Sequence, residues 1–360
     1  MTKTPFIAFK LCLAAMILFP IAHGLAAPLP EFGPSIQFDP SGPQPTVAKL
    51  KGKAAIILFF ESEDKASNVW AGELIQEMEE AYGTNQTVVL IGIKTDGGST
   101  TSAKGYLAGK GANTDSWIVG CDKGAKYSTD LVGDPKWYYL LVGSDGNIVE
   151  RGKAGTTHNV VVGPDKKREK HYNLANPKIL KACGKVSTVL PAGKTYQPSV
   201  RPLARLAELG DAEKALVLCT GLLAKPKEKQ AASELLADLQ PVVEKRIADR
   251  LALLGDAAGA SAARYDAFNE LAEIQKDLKT HQLASKIAPA LTKARQYPAL
   301  QKEARADSAY QRLLARAQKA ANRDKPIIAK ELRAFALQAE GTKAAQLASN
   351  LADELEAAAQ

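Results

Sequence analysis

Two runs of apolar residues set the outer limits on this chain's fold. Ala54–Phe60 (AAIILFF) and Thr87–Ile93 (TVVLIGI) hold no charged side chain, and neither alternates polar with apolar. A strand with one wet face alternates. A run that is apolar at almost every position belongs to a strand covered on both faces. Between the runs, Val69, Trp70, Leu74, Ile75, Met78 and Tyr82 fall close to one helical stripe from Ser67 to Tyr82, and Gly83 supplies a stop.

The same alternation continues downstream. Thr101–Lys110 reads as a short helix and Trp117–Val119 as a short strand. Trp137–Val142 and Ile148–Arg151 flank Gly143-Ser144-Asp145-Gly146-Asn147, and an Asp-Gly pair between two apolar runs is a strong hairpin signal. The order β-α-β-α-β-β predicts a mixed sheet covered by helices.

The ends of the chain read differently. Residues 1–26 join Lys3 and Lys10 to the short apolar core LCLAAMILFPIA and the small residues of Gly24-Leu25-Ala26, the pattern of a cleaved signal peptide. The core is too short for a stable membrane span, so an exported protein of the periplasm or the extracellular medium is expected. Residues 27–46 are proline-rich and expected as an extended leader. Residues 159–199, with Pro164, Pro177, Pro191 and Pro198, are expected as a linker. Asn176-Pro177 and Gly184 bracket one short helix there.

From residue 200 to 360 alanine, leucine, lysine and glutamate dominate and β-branched residues thin out, which predicts an all-α domain of helical hairpins. Leu209-Gly210-Asp211 closes one helix and opens the next, and Pro226, Pro241, Pro298 and Pro326 read as punctuation. Residues 282–291 (QLASKIAPAL) echo 346–355 (QLASNLADEL), and each follows an amphipathic helix, a sign of stacked, tetratricopeptide-like hairpins.

Net charge is +8 and falls to about +6 once Lys3 and Lys10 leave with the signal. Lys and Arg are interleaved with Asp and Glu along the helices, unlike the one-sided basic patch of a nucleic-acid binder, so none is expected. The mature chain keeps Cys121, Cys183 and Cys219, none in a Cys-x-x-Cys spacing. With no metal-ligand spacing among them and four scattered histidines, neither metal nor cofactor is expected.

Residues 46–155 resemble the thioredoxin-like fold, in particular the exported branch related to cytochrome-maturation thioredoxins. The residues that carry the resemblance are Leu50-Lys51-Gly52-Lys53 before the strand ending Leu58-Phe59-Phe60, the strand Thr87–Ile93 leading to Asp96, and Tyr138-Tyr139-Leu140-Leu141-Val142 with Ser144-Asp145-Gly146. The resemblance implies a thioredoxin-like domain over 47–158. It places the family's two redox cysteines on Asp64 and Ser67. Disulfide exchange needs a thiolate at the start of the following helix, and a carboxylate there cannot replace it. Asp64 reads as a capping or solubilising residue.

The family's cis-proline maps to Pro135, two residues further from Asp145-Gly146 than the family pattern. Either the strand is longer here or Trp137 takes that place. A cis bond at Asp134-Pro135 is expected on the first alternative, and Pro135 and Trp137 are candidate groove residues. Cys183 and Cys219 are a candidate disulfide tying linker to helices. The glycine- and serine-rich stretch from Asp96 to Lys104 lacks phosphate-loop order and is expected as a plain loop.

Three functions stay open at this point. One is a non-catalytic, exported protein-binding or scaffold module whose partners are other exported proteins. Another is a thiol-disulfide oxidoreductase using Cys121 with Cys183 or Cys219. The last is a structural protein of the cell envelope.

Overall fold

The structure is a computed structural model that describes residues 27–40, 42–63, 68–162, 167–256 and 259–357. The chain divides into two compact units between Thr188 and Val189.

The first unit is built on a seven-stranded mixed sheet of β1 (Ala27–Pro28), β2 (Ile36–Phe38), β3 (Ala54–Phe60), β4 (Val88–Lys94), β5 (Trp117–Asp122), β6 (Tyr138–Val142) and β7 (Asn147–Lys153), in the spatial order β1-β7-β6-β3-β4-β5-β2. Strands β3, β4 and β5 run parallel, whereas β6 lies antiparallel to β3, β7 to β6, and β1 and β2 close the two edges antiparallel. The helices are α1 (Val47–Leu50), α2 (Asn68–Tyr82), α3 (Thr100–Gly109) and α4 (Lys126–Val132).

The reason for the two apolar runs is now direct. Every residue of β3 is at most 1% exposed, so both of its faces are covered. On one face Ala54, Ile56, Leu58 and Phe60 meet Ala71, Leu74, Ile75, Met78 and Tyr82 of α2. Each such large apolar side chain contributes roughly 2 kcal/mol by leaving water. The β6–β7 hairpin turns where Asp145-Gly146 predicted, with Gly146 at φ 86° and Asp145 accepting from the Asn147 N–H at 2.9 Å.

Several short elements escaped the sequence reading. The leader carries both edge strands, and α1 follows it directly. Strands of two and three residues are too short to display a period, and Pro28 is admissible at an edge because it owes the ladder no donor. Residues 157–172 form a second hairpin, β8 (Thr157–Val162) with β9 (Lys167–Tyr172). The expected linker therefore belongs to the first unit as far as Thr188. Leu174 and Cys183 are buried in its core, the Tyr82 hydroxyl donates to Leu174 O at 3.1 Å, and the Ser187 N–H donates to Gly52 O at 2.7 Å. The short helix inside it is a 3-10 helix, Pro177–Cys183, with Asn176 accepting from the Lys178 N–H.

The second unit opens where the N–H groups of Val189 and Leu190 both donate to the Glu208 carboxylate at 2.9 Å. Its helices are α5 (Arg201–Glu208), α6 (Ala212–Leu222), α7 (Lys229–Gly255), α8 (Ser261–Asp277), α9 (Ala284–Ala294), α10 (Pro298–Lys319), α11 (Lys325–Gln338) and α12 (Lys343–Ala357). Successive helices from α5 to α9 pack on one another, α11 pairs with α12, and α10 touches α8, α11 and α12. Pro298 and Pro326 do open helices, but Pro241 lies inside α7. Leu239, Val243 and Ile247 are buried around it, and that packing outweighs the lost backbone bond. No described helix is long and apolar enough to cross a membrane.

Candidate functional site

In the first unit the C-terminal ends of β3 and β4 meet beside Ser62 and Glu63, at the start of the segment that leads to α2. β3 stops at Phe60, whose carbonyl accepts from the Thr95 N–H at 2.9 Å and the Thr95 hydroxyl at 3.2 Å, stitching the ends of β3 and β4 together. The turn itself is held by Asp96. Its Oδ2 accepts from the Ser62 N–H at 2.7 Å, the Glu63 N–H at 2.9 Å and the Ser62 hydroxyl at 3.0 Å. Its Oδ1 lies 2.6 Å from the ammonium of buried Lys94, which also donates to Gly97 O. Burial alone would raise the Asp96 carboxyl. The Lys94 ammonium and the donors of Ser62 and Glu63 outweigh it and hold the group below the ordinary carboxylate range.

Asp64 and Ser67, the positions that match the family's cysteines, lie outside the described residues. The stretch after Asp96 is a helix start. Gly97 and Gly98 turn at φ 82° and 91°, and Ser99 caps α3 in a reciprocal pair of bonds with Ser102.

The two groove candidates are not surface groups. Pro135 is buried and its peptide bond is trans, as is every peptide bond described, which corrects the cis expectation. Trp137 is 2% exposed and belongs to the core. Its ring lies 5.0 Å from Trp70, 6.0 Å from Phe60 and 6.2 Å from Tyr106, and its carbonyl accepts from the Ala154 N–H at 2.8 Å. It sits at φ 50°, a left-handed conformation unusual for a bulky side chain, and its indole Nε1 finds no acceptor among the described residues. Sequence reasoning named Trp137 but took it for a lining group; the aromatic neighbours hold it in the interior instead.

The cysteines stay apart. Cys121, Cys183 and Cys219 are all buried free thiols, so the expected Cys183–Cys219 disulfide is not formed. Each sulfur of that pair is held in the core of its own unit, and the Cys219 thiol donates to Ala232 O at 3.3 Å. Burial, helped by the Glu150 and Asp145 charges, pushes the Cys183 thiol up to about 11. Burial alone pushes Cys219 up to about 11. Cys121, paired in register with Lys94, is also raised, because burial outweighs the Lys94 ammonium and the Asp122 and Asp96 charges add to it. Among the described residues no group of three His, Cys, Asp or Glu side chains is placed to hold a metal ion.

The parallel crossover β3-α2-β4, with the antiparallel hairpin β6–β7 on the other side of β3, makes the first unit a thioredoxin-like α/β domain, followed by a helical one. The sequence matches no protein-family model and no curated protein. Among solved structures it is similar to a thioredoxin-family thiol:disulfide interchange protein of Chlorobium tepidum, at 17% identity and a TM-score of 0.29, over 45% of this chain and 99% of that one. It is similar as well to the thioredoxin domain of a thiol-disulfide oxidoreductase of Bacteroides vulgatus, at 18% identity and a TM-score of 0.26, over 37% and 89%. A third is a secreted disulfide oxidoreductase of Mycobacterium tuberculosis, at 17% identity and a TM-score of 0.25, over 30% and 75%.

Proposed function

We propose that this chain is an exported thioredoxin-like protein that has given up disulfide exchange and serves to hold other exported proteins. The observation that supports this reading most directly is the state of its sulfur. Exchange requires an accessible thiolate, and the pKa of a working redox cysteine is lowered by its surroundings. Here all three thiols of the mature chain are buried and raised. The turn from Glu61 to Ser67 contains no cysteine, and its start is fixed by the Asp96 carboxylate. A binding role fits the second unit, because stacked helical hairpins offer an extended surface.

The test is a thiol count on the mature protein. The native chain is expected to react with a thiol reagent near neutral pH far more slowly than the denatured chain, and mild oxidation is expected to leave its mass unchanged. Loss of the mass of two hydrogens, reversed by a dithiol and abolished by Cys121→Ser, contradicts the proposal in favour of an exchange enzyme.

A further inference from the structure

Helix α11 carries two apolar faces, and the core of the helical unit uses one of them. Ile328, Ala329 and Leu332 are buried in the apolar cluster shared with α10 and α12, with Phe335 and Ala336 packed against it. On the opposite side Ile327, Lys330, Ala334 and Leu337 are all exposed, Ile327 at 59% and Leu337 at 79%. Steps of three, four and three residues keep these side chains on one line along a helix, the spacing of a coiled-coil seam. Ion pairs made within the chain bound this ridge. Arg316 of α10 reaches Glu331 at 2.6 Å on one flank, and Arg333 reaches Asp353 and Glu356 of α12 on the other. Large apolar side chains exposed singly are ordinary on a protein surface. Among the described residues, α11 is the helix that exposes two, and both lie on the same ridge.

We infer that this ridge packs on the same ridge of a second copy of the chain, antiparallel, about a twofold axis between Lys330 and Ala334. Charge selects the direction. In a parallel pair the two Lys330 ammoniums would face each other across the seam. In the antiparallel pair Lys330 lies level with the small Ala334 of the other copy, about 4.5 Å along the axis from that copy's Glu331. Lys330 is exposed and forms no ion pair within its own chain among the described residues. Ile327 then meets Leu337 of the other copy at both ends of the seam. The arrangement also sets the N-terminal end of each helix beside the C-terminal end of the other, which the helix dipoles favour. α11 has 14 residues, and one face of such a helix buries less than the roughly 1,200 Å² at which stable interfaces begin. The pair is therefore weak and forms at high concentration.

Sedimentation equilibrium of the purified mature chain, from about 1 µM to about 500 µM, tests the pair. The average mass is expected to rise from that of one chain toward that of two, with a midpoint on the order of 100 µM. Ile327→Glu and Leu337→Glu leave the buried face of α11 intact, and each is expected to move the midpoint upward at least about tenfold. Leu218→Glu on α6, at a leucine 54% exposed, is expected to leave it in place. Direction is read by disulfide trapping with diamide, since the native thiols of the mature chain are buried. Ile327→Cys and Leu337→Cys chains mixed together are expected to link one to the other, and each alone to link far less. A chain that stays monomeric over the whole range, or a dimer indifferent to both glutamates, overturns the inference. Efficient self-linkage of each cysteine variant alone overturns the antiparallel register.

Discussion

Asp96 shows how one side chain can fix the start of a turn at the end of a buried strand. It takes three donors from Ser62 and Glu63 and pairs with an almost fully buried ammonium. Asp96→Ala is expected to cost about 3 kcal/mol in urea unfolding, since it strands the buried Lys94 charge as well as the turn's donors. Because the folded state holds the Asp96 carboxyl low, its contribution is full above the unfolded carboxylate range and is lost as the pH falls toward the folded value. The stability difference between wild type and Asp96→Asn should therefore hold above about pH 5 and shrink as the pH falls through about 4 and below. Glu213 has the opposite sign. Burial raises it more than Arg246 lowers it, and its Oε1 has no hydrogen-bond partner among the described residues. Ionised Glu213 then works against folding. Glu213→Gln should raise the melting temperature at neutral pH, with a gain that fades toward about pH 4, while Arg246 keeps Glu270 and Gly210 O.

At the scale of elements, legibility followed the apolar pattern. β3 and β4 were plain in the sequence because their seven residues are all buried, and α2 because its stripe, apart from exposed Val69, packs in the same core. β1 and β2 were not, because edge strands of two and three residues carry no apolar period, and the six-residue strands of the β8–β9 hairpin were not, because the basic Lys167-Arg168 of β9 reads as solvent-facing loop. The echo between 282–291 and 346–355 was legible, but its packing was not. Leu283, Ile287 and Leu291 are buried in the first copy, whereas in the second Ala348, Ala352 and Leu355 take the interior, Leu351 packs partly buried against them and Leu347 is exposed. The two copies therefore share their last buried leucine and differ at the first, where Leu283 is buried and Leu347 exposed. Between the two apolar clusters of the helical unit lies Glu303 of α10, 1% exposed, which accepts from the Ser261 hydroxyl of α8 at 2.7 Å and the Lys343 N–H of α12 at 3.2 Å. Glu303→Ala should cost about 3 kcal/mol, and Glu303→Gln about 1 kcal/mol, in unfolding followed by far-ultraviolet circular dichroism.

At the scale of the molecule, the α/β half and the helical half were both readable, because composition changes where the sheet's apolar runs give way to alanine-rich helices. The boundary was displaced. The stretch before Thr188 is polar and proline-rich, yet it is tied to Gly52 and to Tyr82 of α2 by single groups, Ser187 and Leu174, which no periodicity announces. That residues 61–67 hold no cysteine was legible in the sequence, whereas the burial of Cys121, Cys183 and Cys219 and the core position of Trp137 required the fold. The claim that joins these findings is that a thioredoxin-like sheet persists here without thiol chemistry. The most direct measurement is reduction of insulin disulfides by the purified mature protein with excess dithiol, beside an active thioredoxin. The account predicts a rate equal to that of the dithiol alone. A catalytic rate that disappears in Cys121→Ser would contradict it, and would place the reactive sulfur at the end of β5.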